Sequence, residues 1–190
     1  MVSKLFRVFV YGTLKVGEPN HHVLKETKGF EKFLGRGKTT IKFPLIVSSE
    51  FNIPMMLNQP NSGMFINGEV YEVDAEKLEV LDELEAYPRL YDRKDVPIEL
   101  ENGMIVEAML YVIKSWRPDI FEVSTPLMDN YSTNGAHGRP YVARYARAKS
   151  MLDDENYNLF SDIQGGSSAD EVTLAWTKEK ALNDLNTTKA

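Results

Sequence analysis

Apolar residues along this chain fall in short runs that read mostly as strands. Leu5 to Tyr11 is rich in Val and Phe and predicts a buried strand. It stops at Gly12. Residues 12–19 then read as a loop, and a short helical turn is expected around Asn20 to Lys25. Residues 33–47 and 53–57 predict further strands, punctuated by Gly35, Gly37, Pro44 and Pro54. Met64 to Val73 carries Phe65, Ile66, Val70, Tyr71 and Val73 and predicts another. Asp74 is a helix N-cap by type, with Glu76 in the first turn. The helix it starts should run to about Ala86 and stop before Pro88, because the residue preceding a proline avoids helical angles. Leu90 to Leu100 and Ile105 to Ile113 predict a hairpin turning at Glu101-Asn102-Gly103. Both faces of 105–113 are mostly apolar, so that strand should be central.

The pattern changes after residue 128. Residues 129–140, DNYSTNGAHGRP, form a polar loop containing glycine, and 141–155 are charged enough to be a surface helix. QGGSSAD at 164–170 has linker composition. A last helix is expected over 170–182, with 183–190 frayed. The organisation expected is a domain over 1–145 and a weakly attached extension, 146–190, helical or partly disordered. No internal repeat is visible.

Composition narrows the function classes. The 190 residues suffice for one sizeable core. Net charge is −6, which argues against a sequence-independent grip on nucleic acid. There are no cysteines, so disulfides, thiolate catalysis and thiolate zinc sites are excluded, and a reducing cytosol fits. The apolar start is too short for a signal peptide, and no later stretch could span a bilayer.

Several chemistries lack their residues. Gly12 and Gly17 have the glycine spacing of a phosphate-binding loop, but Glu18 and Pro19 stand where Lys and Ser or Thr are needed. His21 and His22 are adjacent and His137 is remote, so no metal-ligand spacing exists. No Gly-x-Ser-x-Gly elbow is present. Carboxylates and backbone groups remain. On the helix after Asp74, Leu78, Val80, Leu81 and Leu84 gather on one side at roughly 100° per residue. By that count Glu85 falls about 20° from Leu78 and about 40° from Leu81. Asp82 lies further from the stripe's centre, and Glu79 and Glu83 lie well outside it. Glu85 is the acid aimed closest to the core, in the last turn, where burial and the helix dipole both raise a carboxyl pKa. It is either a proton carrier or a cap or ion pair with Arg89 or Arg93. The Tyr11-Gly12-Thr13-Leu14 turn has two readings as well: an anion-binding nest of N–H groups, or a tight turn satisfied internally.

Four segments in order, VFVYGTLKVGEPNHHVL, NIPMMLNQPNSGMFINGEVYEVD, LDELEAYPRLYDR and DNYSTNGAHGRPY, resemble the gamma-glutamylcyclotransferase superfamily. They are most similar to its gamma-glutamylamine cyclotransferase (AIG2-like) branch. The resemblance covers roughly Leu5 to Tyr141. It implies an α+β fold, a small mixed β-barrel with a few short helices. It implies that Tyr11, Gly12, Thr13 and Leu14 hold a gamma-glutamyl group largely through the backbone, and that Glu85 is the acid/base. Tyr91 and Arg93 would support the site. Tyr131 and the 132–139 loop would close over it.

The reaction implied is intramolecular. The substrate's α-amino group attacks its own γ-carbonyl, releasing 5-oxoproline and a free amine. No metal or cofactor is implied, and the expected partner is a small gamma-glutamyl molecule bound by a monomer, without nucleic acid or membrane. Two alternatives stay open: action on gamma-glutamyl amino acids or glutathione, and a module that only binds a gamma-glutamyl or protein ligand.

Overall fold

Period-two alternation along β1 (Phe6–Val10) sends Phe9 to one apolar cluster and Val8 and Val10 to another, and the whole chain is organised around those two clusters. The computed structural model describes residues 4–153, 158–165, 178–183 and 186, the side chains at 145, 149–151 and 153 apart. In chain order, β1 is followed by α1 (His21–Glu26), β2 (Glu31–Phe43), β3 (Leu45–Ser48), β4 (Ile53–Met56), β5 (Met64–Val73) and α2 (Ala75–Leu84). Then come β6 (Tyr91–Leu100), β7 (Ile105–Ile113), α3 (Ile120–Val123), α4 (Arg144–Asp153) and α5 (Leu159–Gln164).

Five strands close a barrel in the order β1-β5-β2-β6-β7. All pairings are antiparallel except the closing one, where β1 runs parallel to β7 with Val8 opposite Met109. The fold is thus the mixed barrel with short helices that the resemblance implied. Its longest strand, β2, slips register between Phe33 and Gly35 and between Lys38 and Lys42. Such bulges bend a strand and let it curve around a small barrel. The strand over 105–113 is central, paired to β6 on one side and β1 on the other. Residues 33–47 divide at Pro44, one of the expected points of punctuation, into β2 and β3, and β3 pairs with β4 as a separate hairpin.

One cluster draws on all five barrel strands and no helix: Phe9, Phe43, Val70, Ile98 and Leu110 are among its buried members. The other joins the outward residues Val8, Tyr71, Tyr111 and Ile113 to Leu24 of α1, Leu78 and Leu81 of α2, and Phe160 and Ile163 of α5. Asp74 caps α2 as expected, its Oδ1 accepting from Lys77 N–H at 2.9 Å. Lys77 itself is fully buried. Its ammonium donates to Leu24 O at 2.7 Å and to Thr27 O and Oγ1 at 2.9 Å, which satisfies carbonyls left open at the end of α1.

The tail is not loosely attached where it is described. Phe160 and Ile163 are core residues, and the Arg117 N–H donates to Ile163 O at 2.9 Å. Arg147 and Ala148 of α4 are buried, and Ala148 packs with Phe51 and Ala181 in a third, smaller cluster. Residues 178–183 are helical, while the rest of the expected last helix, 170–177, lies outside the described residues. So do 166–170 of the QGGSSAD segment and most of 184–190. Among the described residues no helix is long and apolar enough to cross a membrane.

Candidate active site

β1 delivers the chain to Gly12, and the loop that follows is pinned from behind. The Val16 N–H donates to Glu69 Oε2 at 3.0 Å, and the Lys15 ammonium donates to Asn130 Oδ1 at 2.7 Å and Tyr131 O at 2.6 Å. Glu18 Oε2 accepts from the Thr133 N–H at 2.9 Å. Asn20 then folds the loop back, its N–H donating to Thr13 O and its Nδ2 to Thr13 Oγ1, both at 2.9 Å. These contacts leave Tyr11 to Leu14 facing a cavity of about 100 Å³. Among the described residues, the N–H groups of Gly12, Thr13 and Leu14 meet no acceptor. That arrangement suits a nest for oxygen atoms better than an internally satisfied turn.

Gly12 is favoured by close packing. A Cβ there would sit 3.0 Å from Pro54 Cγ, and its φ is not in the positive region. The unusual backbone angle that a nest glycine can supply is not needed at this position.

Glu85 lies at the C-cap of α2, its N–H donating to Leu81 O at 3.0 Å. Its side chain is partly buried in the cavity wall. No hydrogen bond from a described residue reaches its carboxyl. Burial pushes its pKa up to about 7, against the opposing pull of Arg144 and Arg147. A carboxyl poised there can both take and return a proton near neutrality. The ion pair with Arg93 weighed for Glu85 goes instead to Asp82, at 3.4 Å.

Aromatic side chains frame the same space. Tyr11 Oη donates to Tyr111 O at 2.7 Å and accepts from the Met56 N–H at 3.3 Å. Tyr91 Oη donates to Pro54 O at 3.2 Å. Burial, then the neighbouring carboxyl of Glu85, holds the Tyr11 hydroxyl well above its ordinary pKa, so it stays a neutral wall group.

Of the residues singled out from sequence, Tyr11, Gly12, Thr13, Leu14, Glu85 and Tyr91 line this cavity together. Arg93 and Tyr131 do not line it. The Arg93 guanidinium stands 4.2 Å from the Tyr87 ring centre and pairs with Asp82, so it braces the end of α2 from outside. Tyr131 is fully buried behind the loop, its ring stacked on His137 at 5.8 Å, and its carbonyl accepts from Lys15. It therefore backs the loop and does not cover the cavity. Sequence reasoning missed Asn20, Tyr111, Tyr141, Arg144 and Arg147, all of which line it. The PN pair after Gly17 was the one available signal for Asn20. The arginines lie on a tail whose docking no local pattern announces.

A larger cavity, about 590 Å³, lies behind the loop, lined by Lys15, Arg36, Glu69 and Tyr131 among others. Three of its carboxylates are engaged, Glu18 with Thr133, Glu69 with Val16, Tyr71 and Arg36, and Glu99 with Lys38, and the fourth, Glu101, lies exposed at its rim. The smaller cavity is the one that presents an unengaged carboxyl beside open N–H donors. Among the described residues no cluster of three or more His, Asp or Glu could hold a metal ion.

Known proteins share this sequence pattern and fold. The family model for gamma-glutamyl cyclotransferase, AIG2-like, matches residues 8–132. Gamma-glutamylaminecyclotransferase of Bos taurus is 41% identical over 147 residues, 76% of this chain and 86% of that protein. Gamma-glutamylaminecyclotransferase C of Danio rerio is 40% identical over 146 residues, 74% of this chain and 95% of that protein. The crystal structure of an AIG2-like protein from Mus musculus superposes with a TM-score of 0.69 at 36% identity, covering 73% of this chain and 96% of that one. With that match over residues 8–132, relatives at about 40% identity and a barrel of the same fold, this chain belongs to the AIG2-like gamma-glutamyl cyclotransferase family.

Proposed function

We propose that this chain is a gamma-glutamylamine cyclotransferase, converting a substrate such as gamma-glutamyl-ε-lysine to 5-oxoproline and the free amine. The observation that carries the reading is Glu85: a carboxyl with its pKa at about 7, in the wall of a cavity that also presents the N–H groups of Gly12 to Leu14.

The chemistry needs little else. The loop N–H groups hold the glutamyl oxygens and fold the side chain so that the free α-amine reaches its own γ-carbonyl. Holding nucleophile and carbonyl in a reactive conformer can contribute roughly 7–11 kcal/mol. The amine nitrogen bonds to the carbonyl carbon and a five-membered ring forms. Loop N–H groups stabilise the developing oxyanion. Glu85 accepts the proton released by the attacking nitrogen and delivers it to the leaving nitrogen as the carbon–nitrogen bond breaks. One proton moves and one bond replaces another, so no external redox partner enters.

The reaction would release lysine from isopeptide remnants of protein crosslinks. A cytosolic setting suits a sequence without cysteine. The test is 5-oxoproline release from gamma-glutamyl-ε-lysine, a gamma-glutamyl-α-amino acid and glutathione, each alone. Turnover of the first is expected. Turnover of glutathione alone would replace the reading, and no turnover of any would favour a binding module.

A further inference from the structure

Asn20 stands at the N-cap of α1, where an asparagine ordinarily spends its side-chain oxygen on an N–H two or three residues further on. Here that bond is not made. The amide is held through its nitrogen instead. Nδ2 donates to Thr13 Oγ1 at 2.9 Å and to Tyr141 Oη at 3.1 Å. Both N–H bonds of the amide are thereby used, and the side chain is fixed to the Thr13 turn. Tyr141 Oη is itself anchored, accepting from Arg147 Nη2 at 2.8 Å.

Oδ1 is left over. Among the described residues no donor reaches it, and it is not one of the sealed, unsatisfied atoms. Asn20 is 7% exposed and lines the cavity together with Thr13 and Glu85. Among the described lining residues it carries the one side-chain amide. The loop thus offers N–H groups for oxygens and, beside them, one oxygen for a nitrogen. That is the complement of an amino-acid end, a carboxylate and an amine on one carbon.

The reaction calls for such an oxygen. A primary amine ready to attack has two N–H bonds and one lone pair. The lone pair must face the γ-carbonyl carbon, and one N–H gives its proton to Glu85. The second N–H stays on the nitrogen throughout and becomes the ring N–H of 5-oxoproline. Without an acceptor it would leave the turn of the nitrogen about its bond to Cα unset. A neutral amide oxygen suits this task better than a second carboxylate, which would hold the nitrogen as an ammonium with its lone pair occupied.

We infer that Asn20 Oδ1 accepts an N–H of the substrate's α-amine and aims the nitrogen lone pair at the γ-carbonyl. The inference rests on the cyclotransferase reading and adds a substrate-binding residue to that same site.

The experiment measures binding of L-glutamate and of glutarate, which lacks only the amine, by calorimetry at pH 6. There Glu85, with its pKa at about 7, is mostly protonated and pulls weakly on the ammonium. A hydrogen bond from a charged donor is worth a roughly ten- to hundredfold preference. The wild-type protein is expected to prefer glutamate by that factor. Asn20→Asp keeps an acceptor, and the Thr13 and Tyr141 hydroxyls can donate to it where they now accept. It should keep or widen the preference. Asn20→Leu has no acceptor and should lose most of it. Equal affinity for the two ligands in the wild-type protein, a result that needs no variant, would overturn the inference. So would an Asn20→Leu protein that weakened both ligands equally and kept the preference, since Asn20 would then only hold the loop. An Asn20→Asp protein that lost the preference would also overturn it, turning the amide nitrogen and not the oxygen toward the ligand. Should Asn20→Leu fail to fold, the wild-type and Asn20→Asp affinities decide alone. Release of 5-oxoproline from gamma-glutamyl-ε-lysine by the wild-type protein keeps the cyclotransferase reading standing through all of these; its absence would remove the reading and the inference together.

Discussion

The Tyr111 hydroxyl donates to Asp82 Oδ1 at 2.7 Å and so ties barrel strand β7 to α2 three residues before Glu85. Arg93 pairs with the other Asp82 oxygen at 3.4 Å. From sequence, Asp82 is a less inward acid on the helix of Glu85. In the structure it fixes the end of that helix against the barrel. Asp82→Ala breaks both contacts and should cost about 1–3 kcal/mol of stability, with a fall in turnover as Glu85 loses its position. Asp82→Asn keeps the acceptor for Tyr111 and should cost less. Thermal unfolding and 5-oxoproline release, run on both variants, check the order.

Gly12 faces the Pro54 ring across the entrance of the loop. Valine there would drive its branches into that ring and push the loop out of place, since a Cβ alone already comes to 3.0 Å. Gly12→Val should lose turnover by two or more orders of magnitude while the barrel still unfolds cooperatively. Near-normal turnover in this variant would show that loop position does not matter.

Much of this was legible in the residues. Strand β5 and the Asp74 cap follow from local rules alone, because alternation and capping are short-range effects. Glu85 emerged from helical spacing for the same reason. What stayed hidden depends on distant chain segments meeting. Lys77, which local sequence does not single out, is buried against the end of α1, some fifty positions away. Arg147 reads as part of a solvated charged helix, yet it is buried in the cavity wall by packing that no window of sequence contains. The same holds for Phe160 and Ile163, which make the tail part of the core.

The tail therefore has a stability consequence. Linker composition suggests that the chain could be cut after about Lys149 without harm. The structure shows that such a cut removes Phe160 and Ile163 from the helix-side core and exposes the residues beneath them. Deleting two large buried side chains costs on the order of several kcal/mol. The truncated protein should unfold at a clearly lower temperature, or fail to fold; an unchanged unfolding curve would show that α5 adds nothing.

The pH dependence of turnover should carry the mark of Glu85. As a base it works ionised, so kcat/KM should rise with pH through about 7. Arg147 favours the ionised form, and its removal must raise the carboxyl pKa. In Arg147→Gln the rising limb should move to higher pH. A limb that stayed in place or moved down would separate Arg147 from Glu85.

Stability should depend on pH with the matching sign. The folded pKa of Glu85 lies above that of an unfolded glutamate, so ionisation opposes folding. This penalty is absent near pH 4, builds as pH rises toward 7, and is complete above it. Glu85→Gln escapes it. The variant should match the wild-type protein at pH 4 and exceed it at pH 8 by on the order of 1–2 kcal/mol, less than the full shift because the side chain is partly exposed. Denaturant unfolding at the two pH values measures the difference.

The central claim is that Glu85 carries the proton between the two nitrogens. Glutamine keeps the size and hydrogen bonding of glutamate and cannot exchange a proton. The most direct measurement is 5-oxoproline release from gamma-glutamyl-ε-lysine by folded Glu85→Gln beside the wild-type protein at pH 8. Turnover is expected to fall by roughly 10²–10⁴-fold, the contribution of a positioned acid/base, with folding intact. A folded Glu85→Gln protein that released 5-oxoproline at the wild-type rate would contradict the account.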